Sequence, residues 1–510
     1  MSDDPGASKR GASAKASANL TESLRIARTG QSEWAALGLR ERARRLEAAA
    51  AAMLADRASI LARVKRETGK HEVEALFTEA LGHLDAVKGW RSVVEDAASR
   101  SVALNPLAFP GKKGRIDLVP RGVVGIIAPW NFPVSGLYRS LVPALLLGNA
   151  VILKPSEHSP TSSAWFAEHF AALLPRGVVQ VVQGDGETGA ALVRSGIDAC
   201  VFTGSVETGK RVRVAAAEAG IPVSVEMGGK DAAIVLADCE MWRTVAGVTQ
   251  WALANSGQAC GAIEIAYVDE GIADTFVARM KDAWQRLRTG PGVPDVDVSP
   301  MANRRQFDVV AAHVADAVAK GAKVVVGGTG DADTLTWTPT LLDHCTPDMA
   351  VVRDETFGPV LAIVRVGGVD EAVRAVNRSR YGLGASIWTA DVARAERLAE
   401  RLDVGVVTIN NHAFSGALPA MPWSGTKDTG FGVAGSTWSL ATFARPKATL
   451  HDSGTDADIY WMPLDRTLGE IGEALADAQI GKFWNAWKLP LWMRARKRAI
   501  RAFFGGSKAG

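Results

Sequence analysis

Cysteine is scarce in this sequence, and the four residues present lie far apart. Cys200, Cys239, Cys260 and Cys345 form no C-x-x-C pair of the kind that binds zinc or carries out thiol redox chemistry. A disulfide framework is therefore not expected, and we predict no metal site. This usage fits a reducing compartment, so we expect a cytoplasmic protein.

Long apolar runs are also missing. The longest, Leu141 to Leu153, is interrupted by a proline, a glycine and an asparagine and is too short to span a bilayer. Residues Met1 to Ala18 are rich in Ser, Ala, Gly and Lys and have no apolar core, which argues against a secretory signal. We predict a disordered tail over residues 1–22. The net charge of +3 is too small to indicate a nucleic-acid partner.

What is present fits a multidomain α/β protein. The 510 residues favour two or three domains, and 47% hydrophobic with 22% charged residues is a globular composition. Short apolar runs at Val123 to Ala128, Val151 to Leu153 and Val178 to Val182 alternate with helix-like segments, which predicts a mostly parallel sheet covered on both faces. Gly184 to Gly189 has the glycine spacing of a G-x-G-x-x-G fingerprint, but on its own this motif is weak evidence for dinucleotide binding.

The most informative stretch is Asn255 to Gly261, which follows a helix-like run and contains Cys260. A thiol among small residues in a polar loop is accessible to a substrate, which makes Cys260 a candidate nucleophile. Glu226 lies 34 residues upstream in a glycine-bounded box. For an arbitrary cysteine, a role as a small buried hydrophobe is the better interpretation. The flanking glycines and the carboxylate favour chemistry instead.

Six motifs in this order resemble the aldehyde dehydrogenase superfamily, over residues 25 to 447. They are Pro129-Trp130-Asn131-Phe132-Pro133, Lys154-Pro155-Ser156-Glu157, Phe202-Thr203-Gly204-Ser205, Glu226-Met227-Gly228-Gly229-Lys230, Gly257-Gln258-Ala259-Cys260 and Glu355-Thr356-Phe357-Gly358-Pro359. The resemblance implies an α/β fold with two Rossmann-like parallel-sheet domains and an oligomerisation arm. It also implies oxidation of an aldehyde to a carboxylic acid with NAD, or with NADP as the alternative.

The domain boundaries follow from the same resemblance. We expect a cofactor-binding domain over residues 23–227, including an arm strand near 115–120, and a catalytic domain over residues 228–405. Residues 406–447 return to the cofactor domain and form the oligomerisation arm, and residues 448–510 form a helical basic extension. The arm implies a homodimer or homotetramer.

The resemblance assigns three catalytic residues. Cys260 attacks the aldehyde carbon, the Asn131 amide and the Cys260 backbone N–H hold the oxyanion, and Glu226 activates the water that hydrolyses the thioester. Local sequence alone also fits a turn residue at Asn131, and an ordinary ion pair of Glu226 with Lys230. Met227 replaces the family's usual Leu and Gly261 follows the nucleophile, but neither change removes a catalytic group.

Seven further residues match the family's cofactor site. Lys154 and Glu157 correspond to contacts with the adenosine ribose, where a carboxylate favours NAD because it repels a 2′-phosphate. Ser205, after Gly204, is expected at a helix start that suits a pyrophosphate, although a plain helix cap is the alternative. Trp130 lines the cofactor cleft, and Glu355 and Phe357 position the nicotinamide ribose and ring.

The C-terminal extension has its own pattern. From Ala478 to Gly510 there is no Asp or Glu, whereas tryptophans and basic residues are frequent. After Pro490 a helix is predicted with Trp492, Ala495, Ala499, Ile500 and Phe503 largely on one side and Arg496 intruding among them. Packing on a neighbouring subunit or over the substrate entrance and contact with a membrane surface fit equally well. Our hypothesis is peripheral membrane contact through residues 482–504.

Two other functions remain open from the sequence. A coenzyme-A-acylating relative would pass the acyl group to a thiol, whereas Glu226 favours hydrolysis by activated water. A noncatalytic structural or lipid-surface protein would not need Cys260, Glu226 and Asn131 together. We therefore predict an NAD(P)-dependent enzyme whose substrate is a small-molecule aldehyde.

Overall fold

The computed structural model describes residues 5–105, 109, 111–290 and 295–505, with side chains from Asn19 onward. The chain packs into two units. One contains the residues up to Ala98 together with Leu118–Pro446, and the other contains Ser99–Asp117 together with the residues from Lys447.

A five-stranded parallel sheet forms the first half of the larger unit. Its strands, in sheet order, are Val179–Val181, Ala150–Lys154, Val123–Ile127, Ala199–Gly204 and Val223–Met227. Val124 pairs with Val151 on one side and with Ala199 on the other. The three runs predicted as strands are confirmed to within one residue at each end. They are apolar on both faces because helices cover both faces of the sheet.

Ten α-helices accompany this sheet in the chain. They are Pro5–Ala36, Leu39–Ala55, Arg57–Thr68, Glu72–Ala75, His83–Ala98, Ser135–Tyr138, Leu141–Leu146, Pro160–Ala171, Gly186–Arg194 and Val206–Glu218, with a π-helical turn at Leu76–Ala80.

From Pro5 onward, the first helix corrects the prediction of a disordered tail over residues 1–22; residues 1–4 of that prediction lie outside the described residues. Pro5–Ala36 is one continuous helix. Leu20, Ala27 and Trp34 are buried along it at helical spacing, and the Trp34 indole N–H donates to the Leu145 carbonyl at 2.8 Å. The polar composition of the first residues hid this apolar stripe, whose burial stabilises the helix.

A seven-stranded sheet forms the second half of the larger unit. Its strands, in sheet order, are Lys323–Val326, Thr340–Asp343, Val360–Val366, Ile263–Asp269, Asp231–Val235, Gly384–Trp388 and Val406–Ile409. All neighbours are parallel except the first pair. Its helices are Met241–Leu253, Glu270–Trp284, Arg304–Ala319, Ala350–Arg353, Val369–Arg378 and Val392–Ala399. Together the two sheets confirm the predicted α/β architecture.

The last strand of this sheet corrects a predicted boundary. Val406–Ile409 was expected to begin the return to the cofactor domain, but it pairs with Gly384–Trp388 and completes the catalytic sheet. Val406 and Thr408 are buried there. The return follows Ile409, where the Gly432 N–H donates to the Val225 carbonyl at 3.1 Å. The segment after Ile409 contains the helix Leu440–Phe443 and two short strand pairings. Within it Trp423–Ser424 pairs with Val433–Ala434, and Thr426–Lys427 pairs with the earlier strand Tyr381–Gly382.

The smaller unit combines a three-stranded sheet with two helices. Its strands are Ser99–Val102, Lys112–Pro120 and Ala444–Asp452, in that order, and the first two are antiparallel. The helices Arg466–Gln479 and Leu489–Phe504 follow. A strand is present where one was predicted near residues 115–120, and most of it groups with the C-terminal extension; its role in an oligomerisation arm stays a prediction.

Arg496 is fully buried in this unit, so it does not merely interrupt an apolar face. Its guanidinium donates to the Asp465 carboxylate at 2.8 Å, to the Ile459 carbonyl at 3.0 Å, and to the carbonyls of Trp461 and Pro463. Ile500, further along the same helix, is also buried, whereas Ala499 and Phe503 of the predicted apolar side are exposed. Buried charge is compensated here by four acceptors.

Candidate active site

The Cys260 loop connects a helix to a central strand of the seven-stranded sheet. Met241–Leu253 ends in a 3-10 turn, Ala254–Gly257, in which Asn255 and Ser256 adopt left-handed backbone with φ of 53° and 56°. Gly257 also has positive φ, and a Cβ on it would lie 2.1 Å from the Gly358 carbonyl oxygen. The glycine therefore lets the chain turn back and present Cys260 before the strand Ile263–Asp269.

Glu226 lies opposite Cys260, at the end of the strand Val223–Met227. The Cys260 thiol lies 3.3 Å from Glu226 Oε1 and donates to it, and the Trp423 indole N–H donates to the same oxygen at 2.7 Å. The alternative of an ion pair with Lys230 is not what the structure has. Lys230 instead pairs with Glu264, and both side chains are buried.

Electrostatics favour the neutral thiol of Cys260, the predicted nucleophile, in this arrangement. Burial raises the pKa of Cys260 well above its usual value, and the nearby Glu226 carboxylate raises it further. The Arg139 guanidinium opposes both effects. Forming the thiolate therefore requires a base in contact with the thiol, and Glu226 is the carboxylate in that position.

Asn131 lies in the same cluster. Its side-chain amide donates to the Gln258 carbonyl at 3.0 Å, and its own carbonyl accepts from the Asn255 amide at 3.0 Å. Asn131 is therefore hydrogen-bonded to the loop that carries Cys260, at Gln258, which lies two residues before the cysteine. The fold brings the predicted oxyanion donor to the loop that carries the thiol, and its role in binding the oxyanion stays a prediction.

All ten predicted site residues line one cleft of about 2020 Å³. At one part of it, the Lys154 ammonium lies 3.4 Å from Glu157, and Lys154 is buried whereas Glu157 is half exposed. Ser205, which follows Gly204, caps the helix Val206–Glu218 and accepts from the Thr208 N–H. The cap role and an anion site at the helix start are compatible, because further N–H groups of the first turn remain.

At another part of the cleft lie Glu355, Phe357 and Trp130. The Phe357 ring meets the Trp130 ring edge-on with centroids 5.6 Å apart. Glu355 accepts from the Gly229 N–H at 3.0 Å, and burial raises the pKa of its carboxyl to about 8. A Cβ at Gly228 would lie 2.2 Å from this carboxylate, so only glycine lets it approach the backbone.

These features fit a dinucleotide. A lysine and a carboxylate suit ribose hydroxyls, a helix N-terminus suits a pyrophosphate, and an aromatic cleft with a second carboxylate suits a nicotinamide ribose. No group of His, Cys, Asp or Glu side chains able to hold a metal ion is found within the described ranges.

The sequence did not predict two side chains at the centre of the site. Arg139 follows the Asn131 motif, and its guanidinium lies 4.9 Å from the Trp423 ring centroid. Trp423 belongs to a loop that the family resemblance located, but its contact with Glu226 crosses 197 residues of sequence. Long-range contacts of this kind leave no local sequence signal.

Among the helices that the structure describes, none combines the length and the hydrophobicity that crossing a bilayer requires.

Comparison with known proteins identifies the family. The aldehyde dehydrogenase family model matches residues 9–449. A 4,4'-diapolycopene aldehyde oxidase of Methylomonas sp is 37% identical, covering 87% of this chain and 83% of that protein. A Mycobacterium tuberculosis protein (strain ATCC 25618 / H37Rv), provisionally named an NADP-type succinate-semialdehyde dehydrogenase, is 34% identical over 81% of each chain. A crystal structure of a Mycobacterium tuberculosis aldehyde dehydrogenase with NAD+ aligns with a TM-score of 0.80 and 28% identity, covering 86% of this chain and 92% of that one. The chain belongs to the aldehyde dehydrogenase family and is an enzyme that oxidises aldehydes with NAD or NADP.

Proposed function

We propose that this enzyme oxidises long apolar aldehydes to carboxylic acids by the hydrolytic route, with Cys260 as nucleophile, Glu226 as base and Asn131 as oxyanion donor. The observation that carries the catalytic assignment is the 3.3 Å hydrogen bond from the Cys260 thiol to Glu226 within the cleft. A thiol that donates directly to a carboxylate can lose its proton without an intervening water.

The residues act in sequence. Glu226 takes the Cys260 proton, and the thiolate sulfur attacks the aldehyde carbon to form a thiohemiacetal. The Asn131 amide and the Cys260 backbone N–H stabilise the oxyanion at the former carbonyl oxygen. A nicotinamide bound in the cleft would supply the acceptor for the hydride that leaves the substrate carbon, which becomes the carbonyl carbon of a thioester. Glu226 releases the Cys260 proton to solvent and, as a carboxylate again, removes a proton from water. The resulting hydroxide attacks the thioester carbon, and the carbon–sulfur bond breaks to release the acid and the Cys260 thiolate.

The charge of Glu157 supports NAD as the preferred cofactor. Lys154 and Glu157 would hold the adenosine ribose, with Trp130, Gly204, Ser205, Glu355 and Phe357 along the rest of the dinucleotide. A 2′-phosphate would bring negative charge beside the half-exposed Glu157 carboxylate. NADP remains the alternative because the Lys154 ammonium, 3.4 Å from that carboxylate, offsets part of its charge.

The proposed substrate class rests on the apolar mouth of the cleft. Large hydrophobic side chains from two segments both line the cleft and are exposed; they are Val73, Phe77, Leu81, Phe414, Leu418 and Met421. Phe77 is 69% exposed. Exposed apolar side chains grouped at a cleft mark a binding surface for an apolar partner. The name of the 4,4'-diapolycopene aldehyde oxidase, 37% identical to this chain, supports the same substrate class.

The first test measures NADH formation with a panel of short, long-chain, aromatic and carboxylate-bearing aldehydes. We expect kcat/KM to rise with chain length and to be lowest for succinate semialdehyde, whose carboxylate would lose water among apolar side chains. Equal or better turnover of succinate semialdehyde would contradict the substrate class. A requirement for coenzyme A would replace the hydrolytic route with acyl transfer to that thiol.

Two variants test the catalytic roles in the same assay. Cys260→Ala removes the nucleophile, so NADH formation should fall to background. Glu226→Gln should slow turnover by about 100-fold or more, because a positioned general base contributes on that scale. Acyl-enzyme should accumulate in this variant. Full turnover by either variant would remove that residue from the mechanism.

We further propose that the cytoplasmic enzyme is a homodimer or homotetramer and contacts membranes peripherally through residues 482–504. Phe483, Trp484, Trp487, Phe503 and Phe504 are exposed in this segment. Lys482, Arg494 and Arg498 are exposed among them, and no Asp or Glu follows Asp477 in the sequence. Exposed aromatics beside exposed basic side chains suit an anionic lipid surface.

Vesicle sedimentation tests the membrane contact. The full chain should sediment with phosphatidylserine vesicles at low salt, and less with neutral phosphatidylcholine vesicles or at high salt. The double substitution Trp484→Ala and Trp487→Ala should release it. Trp438→Ala is the matched control, since Trp438 is as exposed but lies in the larger unit. Equal, weak sedimentation of the unmodified and double-substituted proteins would leave subunit packing as the role of this segment.

A further inference from the structure

Trp423 makes a contact that fixes the direction of the proposed base. It lies in the short strand Trp423–Ser424, paired with Val433–Ala434, and its side chain is buried. Its indole N–H donates to Glu226 Oε1 at 2.7 Å, the same oxygen that accepts from the Cys260 thiol. The hydrogen bond from the indole N–H therefore holds the Glu226 carboxylate toward the Cys260 thiol.

Arg139 packs on the same indole. Its guanidinium carbon lies 4.9 Å from the Trp423 ring centroid, in cation–π geometry. Glu226 and Cys260 are close enough to act on its charge. Arg139 forms no ion pair with a carboxylate anywhere in the part of the chain that the structure describes, so its charge is directed to the cleft.

Two glycines leave the space that these side chains occupy. A Cβ at Gly261, the residue after the nucleophile, would lie 2.7 Å from the Trp423 ring. A Cβ at Gly416 would lie 2.4 Å from Arg139 Nη2 and 3.4 Å from the Trp423 ring. The glycine after Cys260 thus makes room for the indole, and both glycines shape the same cluster.

We propose that Trp423 and Arg139 are positioning residues for the two reacting groups: the Trp423 N–H holds Glu226 toward Cys260, and the Arg139 guanidinium, oriented by the indole, supplies the positive charge that balances the Cys260 thiolate. This inference rests on the proposed roles of Glu226 and Cys260. Once Glu226 has taken the thiol proton, the negative charge resides on sulfur, in a site that water reaches poorly. A cation at this place favours that state over the neutral thiol.

Trp423→Phe tests the first half, since phenylalanine keeps an aromatic ring and removes only the N–H. Loss of the N–H leaves the Glu226 carboxylate without the hydrogen bond that directs it. We expect kcat to fall on the order of tenfold with little change in KM for the aldehyde, because the base is less often in place. Acyl-enzyme should accumulate, as in Glu226→Gln. A structural role of the ring alone would leave kcat per folded enzyme unchanged.

Trp284→Phe is the matched control for Trp423→Phe. The Trp284 indole N–H donates to Thr249 at 2.9 Å, in the core of the seven-stranded sheet and away from Glu226. This variant loses one buried indole hydrogen bond as well, so its stability should fall while its kcat per folded enzyme is kept. An equal fall of kcat in both variants, or none in Trp423→Phe, would overturn the role of the indole.

Arg139→Met and Arg139→Lys test the second half through a readout other than turnover. Alkylation of Cys260 by iodoacetamide, followed by peptide mass spectrometry, reports the thiolate fraction at each pH. Removing the cation should move the midpoint upward by about one pH unit, and lysine should restore part of the shift. An unchanged midpoint in Arg139→Met would overturn this half.

Failure of this inference and failure of the proposed function give different results. If Glu226→Gln retains full turnover, Glu226 is not the base and the proposed function fails at that residue. If Glu226→Gln is inactive while Trp423→Phe keeps the kcat of the unmodified protein, only the positioning role of Trp423 is wrong.

Discussion

At the scale of single residues, the site is built from buried charges whose partners come from distant parts of the chain. Lys230 pairs with Glu264, and Glu264 also accepts from the backbone N–H groups of Thr356 and Phe357 at 2.8 Å each. This network holds the segment that carries Glu355 and Phe357. A buried pair with satisfied hydrogen bonds fixes geometry even where its net contribution to stability is small.

Glu355 gives a pH-dependent prediction. Burial and the neighbouring Glu264 raise its pKa to about 8, against 4.5 as a free side chain. The folded protein therefore binds a proton that the unfolded chain releases between these values. The resulting stability is fully present below pH 4.5 and is lost as pH rises through 8.

Glu355→Gln should remove this dependence, because glutamine resembles the protonated carboxyl and does not titrate. The substituted protein should gain stability relative to the unmodified one as pH rises from 5 to 9, by a few kcal/mol. Midpoints of thermal unfolding for both proteins, measured without cofactor at pH 5, 7 and 9, check this. A difference that stays constant with pH would contradict the raised pKa.

The residues that sequence reasoning found and missed differ in how they are encoded. Cys260, Glu226 and Asn131 stand in short motifs, so the resemblance located them, and the structure brings them together. Tertiary packing alone places Arg139 on the Trp423 ring and the Trp423 indole N–H on Glu226. The Lys230 partner was also beyond local sequence, because two carboxylates, Glu226 and Glu264, were available to it.

At the scale of elements, apolar periodicity predicted the buried strands well and predicted their sheet membership less well. Residues 406–447 were expected to return to the cofactor domain, but the strand Val406–Ile409 pairs with Gly384–Trp388, and this pairing is decided by tertiary packing. The first helix was missed because its polar N-terminal half conceals Leu20, Ala27 and Trp34. The helix after Pro490 was predicted, but the compensation of Arg496 by backbone carbonyls was not.

Arg496 joins two elements of the extension, which leads to a second prediction. Asp465 accepts from Arg496 and also caps the helix Arg466–Gln479 by accepting from the Leu468 N–H at 2.9 Å. Arg496→Met would leave this carboxylate and three carbonyls without their donor. We expect the extension to lose about 3–5 kcal/mol of stability, the usual cost of breaking a buried pair.

Hydrogen exchange of residues 466–504 measures that loss locally. Exchange should accelerate there in Arg496→Met, while the strands of the two large sheets keep their protection, because they belong to the other unit. Arg498→Met is the control, since Arg498 is exposed on the same helix. Equal exchange in the two variants would show that the Arg496 contacts do not hold the extension together.

At the scale of the whole molecule, the strand Ala444–Asp452 is the surface that we expect to carry the proposed association of copies. It is the last strand in its sheet order, and its residues after Ala444 are exposed. An edge strand with unpaired backbone groups is a template for pairing with another copy. Leu450 is 72% exposed on it, an apolar side chain without cover in the single chain.

If copies associate through this strand, Leu450→Lys should weaken the oligomer, because a charge on an edge strand opposes pairing. Light scattering after size exclusion should then give a mass closer to the 53.9 kDa of one chain. Leu464→Lys is the matched control, since Leu464 is 71% exposed in the same unit but outside the sheet. An equal loss of mass in both variants would indicate a general effect of added charge. An unchanged mass in Leu450→Lys would place the subunit interface elsewhere and would make the exposed aromatics of residues 482–504 the next surface to substitute.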